Sequence, residues 1–83
     1  MTNQEVLSAF TSSQDGKSNN LTSLRGKLYS YGLVIAEREI GFTKVFDYRA
    51  GSGNFVSVTT SKHVAQVIAA CLQENIPADI QRP

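Results

Sequence analysis

Thr59, Thr60 and Ser61 stand in a row, followed at once by Lys62 and by the chain's single histidine, His63. Hydroxyls, an ammonium and an imidazole gathered at the head of an apparent helix suit one kind of chemistry, the holding of an anion. A helix N-terminus offers unbonded amides and the positive end of its dipole, and spare hydroxyls beside it can complete a cradle for phosphate or carboxylate. The same residues also have a plain structural use, because a hydroxyl at that place caps the helix by accepting from a free amide. Capping accounts for one of the three. Lys62 favours the anion, since a cation in the first turn opposes the dipole by roughly 0.3–1 kcal/mol unless something negative compensates it.

Other chemistries have less behind them. Nucleophilic attack from Ser61 or Thr60 needs a base and an orienting acid; His63 can be drawn with Asp47 or Glu37, but no spacing supports the triad, and the expectation is a protein that is not an enzyme. One His and one Cys, eight positions apart, do not make a tetrahedral metal site, and no cofactor is expected. "GSG" at 51–53 lacks the longer glycine fingerprint and the Lys-Ser/Thr of a P-loop, so it reads as a hairpin turn. Tyr29, Tyr31, Phe46, Tyr48 and Phe55, with Arg25, Lys27, Arg38 and Arg49 around them, could stack the bases of a single strand. The same alternation is what a sheet needs to pack under helices.

The elements that would position these side chains follow from pattern. Thr2-Asn3-Gln4-Glu5 matches a capping box, with Val6, Leu7 and Phe10 as one apolar stripe, predicting a helix over about 3–12. "TSSQDGKSNN" ends it, and 13–21 reads as a polar loop. Residues 27–38 predict a strand apolar on both faces, with Gly32 marking a bulge or close approach. A turn around Gly41, a second strand in "TKVFDYRA", a turn in "GSGN" and a third strand in "FVSVTT" complete a three-stranded antiparallel meander, a sheet over 27–60. Val64, Val67, Ile68, Cys71 and Leu72 then recur at helical spacing, predicting a helix over 61–75 and making Cys71 a small core residue. The tail, 76–83, holds both prolines and is expected to be extended. The fold class is α+β, a small single domain over 1–83 in the order α-β-β-β-α, with helices on one face of the sheet and no internal repeat or heptad.

Bulk properties bound the function. At 83 residues there is room for one core, and 41% hydrophobic against 18% charged residues sets the chain apart from disordered ones. A formal charge of +1 with signs interspersed argues against a protein held on nucleic acid mainly by counterion release. No apolar run approaches the roughly 18 residues of a membrane span, and a lone cysteine forms no internal disulfide, so a cytoplasmic, soluble protein without membrane contact is expected. A core this small leaves homodimerisation open.

"LYSYGLVIA" (28–36) and "FVSVTTSKH" (55–63) resemble a pattern carried by small proteins of bacteriophages and mobile elements, a family without an assigned biochemical function. The resemblance spans about 27–68, and its Thr-Thr-Ser-Lys-His run is the more specific part. It implies a phage origin and, by association, a non-catalytic effector in the host cytoplasm that binds a host enzyme or defence component and modulates or inhibits it. On that reading Thr59, Thr60, Ser61, Lys62, His63, Arg38 and Arg49 are contact candidates. The alternative is a binder of nucleic acid or a nucleotide, with phosphate at the helix N-terminus and a base on Tyr29 or Tyr31.

Overall fold

The computed structural model describes all 83 residues. In chain order the elements are α1 (Asn3–Thr11), β1 (Gly16–Lys17), β2 (Leu21–Leu24), β3 (Lys27–Ser30), β4 (Leu33–Glu39), β5 (Phe42–Phe46), α2 (Val58–Gln73) and β6 (Ala78–Gln81). The capping box is formed as expected: Thr2 Oγ1 accepts from the Glu5 amide at 3.1 Å, and Glu5 Oε1 accepts from the Thr2 amide at 2.8 Å. The six strands lie in one sheet in sequence order, antiparallel except where β6 returns parallel to β5 after crossing through α2.

The α+β class and the pair of helices stand, while the three-stranded meander is corrected to a six-stranded mixed sheet. Residues 27–38 are two strands, not one, because the chain turns back at Tyr31-Gly32, where both residues have positive φ (53° and 87°). Two left-handed residues are what a tight hairpin with the right-handed twist of its strands requires. Gly32 therefore makes a turn, and the bulge lies three residues later. Leu28 pairs with Ala36 and Tyr29 with Val34, leaving Ile35 as the extra residue. That insertion lets Ile35 and Ala36 both reach the core, where both are fully buried.

The expected third strand over 55–60 does not form, and the helix begins at Val58, not at 61. Alternation in "FVSVTT" meets the period of a strand, but the place beside β5 is taken by β6. Ser57 instead holds an extended backbone (φ −157°) and its Oγ accepts from the Thr60 amide at 3.1 Å, which starts α2. "GSGN" is a turn without a hairpin. The polar loop contains β1, which pairs through Gly16 and Lys17 with Ser23 and Thr22, and the tail supplies β6.

Both helices pack on one face of the sheet. Val6, Leu7 and Phe10 of α1 and Val64, Val67 and Cys71 of α2 close over Leu21, Leu28, Ile35 and Val45. Cys71 is a core residue, as the stripe predicted, and burial pushes its thiol above the ordinary range. The opposite face is open and carries Tyr29, Val34, Phe42 and Phe46 half-buried among the pairs Lys27–Glu37 (3.7 Å) and Lys44–Glu39 (3.8 Å). The sheet edges are the two-residue β1 and β6, which Pro77 and Pro83 flank, features that discourage edge-to-edge pairing.

Candidate functional site

Starting α2 at Val58 moves the three hydroxyls inside its first turn, where Ser57 already supplies the cap. Thr60 and His63 then face inward and Lys62 outward. Thr60 Oγ1 lies 3.0 Å from Ser30 Oγ, and Ser30 Oγ lies 2.7 Å from His63 Nδ1, in a polar cluster wholly inside the protein. Ser61 Oγ accepts from the Ala50 amide at 2.9 Å and ties the long loop to the helix. Thr59 is half-buried. Of the residues expected to cradle an anion, Thr60, Ser61 and His63 are turned to internal bonds.

Each ring nitrogen of His63 has a polar partner. Asn3 Oδ1 accepts from Ser18 Oγ, which turns the Asn3 amide nitrogen toward His63 Nε2 at 3.4 Å. With the Asn3 amide placed this way, Nε2 accepts and Nδ1 carries the hydrogen given to Ser30. The ring is 2% exposed, and burial alone lowers its pKa from the ordinary 6.5. The unfolded chain therefore binds a proton that the folded chain refuses, and stability is full above pH 6.5 and falls as pH drops from there through the lowered value. One proton sets the upper limit of that slope at about 1.36 kcal/mol per pH unit. Urea midpoints measured across the window should show the decline in the native protein and its absence in His63→Asn; an equal decline in both would assign it to other groups.

A serine hydroxyl against a histidine nitrogen has the look of a nucleophile and base, but this pair does not serve that chemistry. Ser30 and His63 are both buried, and the far ring nitrogen meets a neutral amide instead of a carboxylate. The triads drawn from sequence do not assemble. Asp47 is held by Arg49 in a two-pronged pair (2.8 and 3.0 Å) that keeps its carboxyl below the ordinary range, and Glu37 faces Lys27 on the open side of the sheet. None of the surface depressions, the largest about 340 Å³ against α1, borders Ser30 or His63. No three His, Cys, Asp or Glu side chains converge as metal ligands would.

The candidates fall into three places. Tyr31, Thr59, Thr60, Ser61, Lys62 and His63 share one end of the molecule, with the Tyr31 ring centroid 6.3 Å from that of His63. Arg49 joins them through the loop after β5 but is occupied by Asp47. Arg38 lies at the opposite end, bonded to Thr43 Oγ1 at 2.9 Å, and Tyr29 lies on the open face. The aromatic platform is thus divided, since Tyr48 packs on the core and Phe55 is exposed in the loop.

Sequence reasoning missed what this end presents to solvent. Tyr31 is 65% exposed, Phe55 50%, Val56 56% and Val58 64%. The last three belong to the segment that enters α2, and Tyr31 lies over its first turns. A strand reading of "FVSVTT" hid them by assigning half of those side chains to a sheet face.

No helix is long and apolar enough to cross a membrane. The fold and this corner define a small α+β domain with one helix-covered sheet face and an apolar end. Comparison with family models, curated proteins and solved structures finds no match for the chain.

Proposed function

We propose that this chain is a small non-catalytic effector of the phage type it resembles, which docks on a host protein in the cytoplasm and modulates or inhibits it by occupying a surface. Tyr31 carries the reading. It stands at the first position of a two-residue hairpin turn with φ 53°, a conformation in which a bulky side chain is disfavoured and Asn is the residue of choice. Its ring is largely in water, held within the fold by a tilted approach to His63 at 6.3 Å and a 3.5 Å bond from Asn20 Nδ2 to its hydroxyl, so it adds little to the core. Recognition gives a reason for tyrosine at such a place, because Tyr is a common energetic anchor of protein interfaces. The nucleic-acid or nucleotide reading has less support, since Thr60, Ser61 and His63 are turned to internal partners.

Tyr31→Asn separates the two roles. Stability is expected to stay level or rise by about 0.4–1 kcal/mol, as the turn relaxes. Capture of a stoichiometric, nuclease-resistant protein from a bacterial lysate is expected with the native chain and lost with the variant. A drop in stability beyond about 1 kcal/mol would make Tyr31 a folding residue, and undiminished capture would remove it from the interface.

A further inference from the structure

The open face of the sheet carries a row of charges that reverses sign across its own centre, and we infer that this face binds the same face of a second copy of the chain. The pair is a two-fold dimer whose axis runs along the strands between β4 and β5. This surface is separate from the Tyr31 turn, and the inference does not depend on docking there. Strand pairing sets Leu24, Lys27, Glu37, Lys44 and Asp79 side by side across β2 to β6. They lie away from the helices, since the residues beside Lys27, Glu37 and Lys44 that point into the core are Leu28, Ala36 and Val45. From β3 to β6 the charges therefore run plus, minus, plus, minus. The rows to either side are apolar: Tyr29, Val34 and Phe46 toward one end, Phe42 toward the other, all half-buried with no helix over them. A sheet with one face in water shows polar side chains on that face, whereas β5 turns Phe42 and Phe46 outward on either side of Lys44.

The order of charges selects the axis. A two-fold axis across the strands sets the row against itself, Lys27 on Lys27 and Glu37 on Glu37. An axis along the strands, midway between β4 and β5, sets Lys27 against Asp79 of the second copy and Glu37 against its Lys44, and symmetry makes each contact twice. The same rotation brings Val34 over Phe46 of the second copy. Two sheets then meet with their strands aligned, the common way in which sheets pack face to face. Asp79 has no cation within its own chain and is bonded only by Gln81 Nε2 at 2.7 Å, so it is free to take the ammonium of Lys27 from across the interface. Apolar contact supplies the affinity, the lysine stems cover the rings, and the charges supply register. Both Tyr31-Gly32 turns, which end strands β3 and β4, lie at one end of the dimer and outside the interface.

Sedimentation equilibrium of the native full chain over a range of concentrations should show monomer and dimer in exchange. Lys27→Glu and Asp79→Lys each set like charges opposite one another twice per dimer, and each should raise the dissociation constant about tenfold or more. The double variant should recover native association. That recovery has no source within one chain, because β3 and β6 are three strand spacings, about 14 Å, apart. Lys62→Glu, the same charge change on the helix side, and Tyr31→Asn should leave the dimer as it is. A native chain that stays monomeric up to about 1 mM would overturn the inference. A dimer indifferent to both single substitutions would overturn the face, and single losses that the double variant fails to recover would overturn the axis. Circular dichroism checks the fold of each variant. Should Lys27→Glu fail to fold, Asp79→Lys on the exposed edge strand reads the face alone, and an unweakened dimer there would likewise sink the assignment.

Discussion

Phe10→Ala is expected to cost about 3–5 kcal/mol. Phe10 is fully buried, and it belongs to the stripe through which a nine-residue helix reaches the sheet. A helix that short has little stability alone, so its tie to the body is the packing of Val6, Leu7 and Phe10. Removing the ring forfeits its transfer free energy and leaves a void between α1, α2 and β2 that neighbours fixed by sheet bonds fill only in part. A domain of this length is typically stable by roughly 4–12 kcal/mol, so the substitution removes from about a quarter to all of that margin. Urea denaturation followed by circular dichroism reads the loss, with Ser8→Ala on the exposed side of α1 as a control expected within about 0.5 kcal/mol. A Phe10→Ala loss below 1 kcal/mol would mean that α1 is not part of the cooperative unit.

Legibility in the sequence followed how local each signal was. The capping box at Thr2 and Glu5 and the apolar stripe of α2 are short-range patterns, and both are present in the fold, save that Leu72, read as part of the stripe, points to solvent. The hairpins were only half visible. Gly26, Gly32 and Gly41 each follow a residue at a tight two-residue turn between paired strands, and the first two turns put Arg25 and Tyr31 at positive φ. Asn-Gly would have announced them; Arg-Gly and Tyr-Gly did not, and "LYSYGLVIA" reads as unbroken alternation across its own turn. β6 was hidden for another reason. Its pairing partner β5 is more than thirty residues earlier, and neither Pro77 nor the exposed Ala78, Asp79 and Ile80 carry a strand pattern.

The candidate site shows the same division. Nothing within Thr59–His63 reveals which hydroxyl faces inward, because that depends on where the helix starts, and Ser57 decides it by capturing the Thr60 amide. Once the start is set, Thr60 and His63 fall on the side of the core stripe with Val64 and Val67, and Lys62 on the other. Ser30 had no signal of its own. It is a small polar residue at an inward position of β3, and only the fold brings it to a histidine thirty-three residues away.

Ser30→Ala is expected to cost about 1–3 kcal/mol for each polar group it orphans, and it orphans two. Ser30 Oγ is the hydrogen-bond partner of both His63 Nδ1 and Thr60 Oγ1, at a place that water does not reach. Deleting one hydroxyl leaves two buried polar atoms without partners, and the desolvation of each is no longer offset. The penalty should therefore belong to the survivors more than to the missing bond. Ser30→Ala combined with His63→Leu and Thr60→Val tests this, since an apolar replacement of all three removes both of those orphaned atoms and leaves only the partly buried Asn3 amide to find another partner. The triple variant is expected to be more stable than the sum of its single losses by about 0.5–3 kcal/mol. It should also lose the decline in stability below pH 6.5, because the titrating ring is gone. Additive losses would show that the three residues act independently, and a cost below 0.5 kcal/mol for Ser30→Ala would show that water reaches His63 and Thr60. Retention of protein capture by the triple variant would complete the separation, placing the inward side of the Thr59–His63 turn in the fold and Tyr31 in recognition.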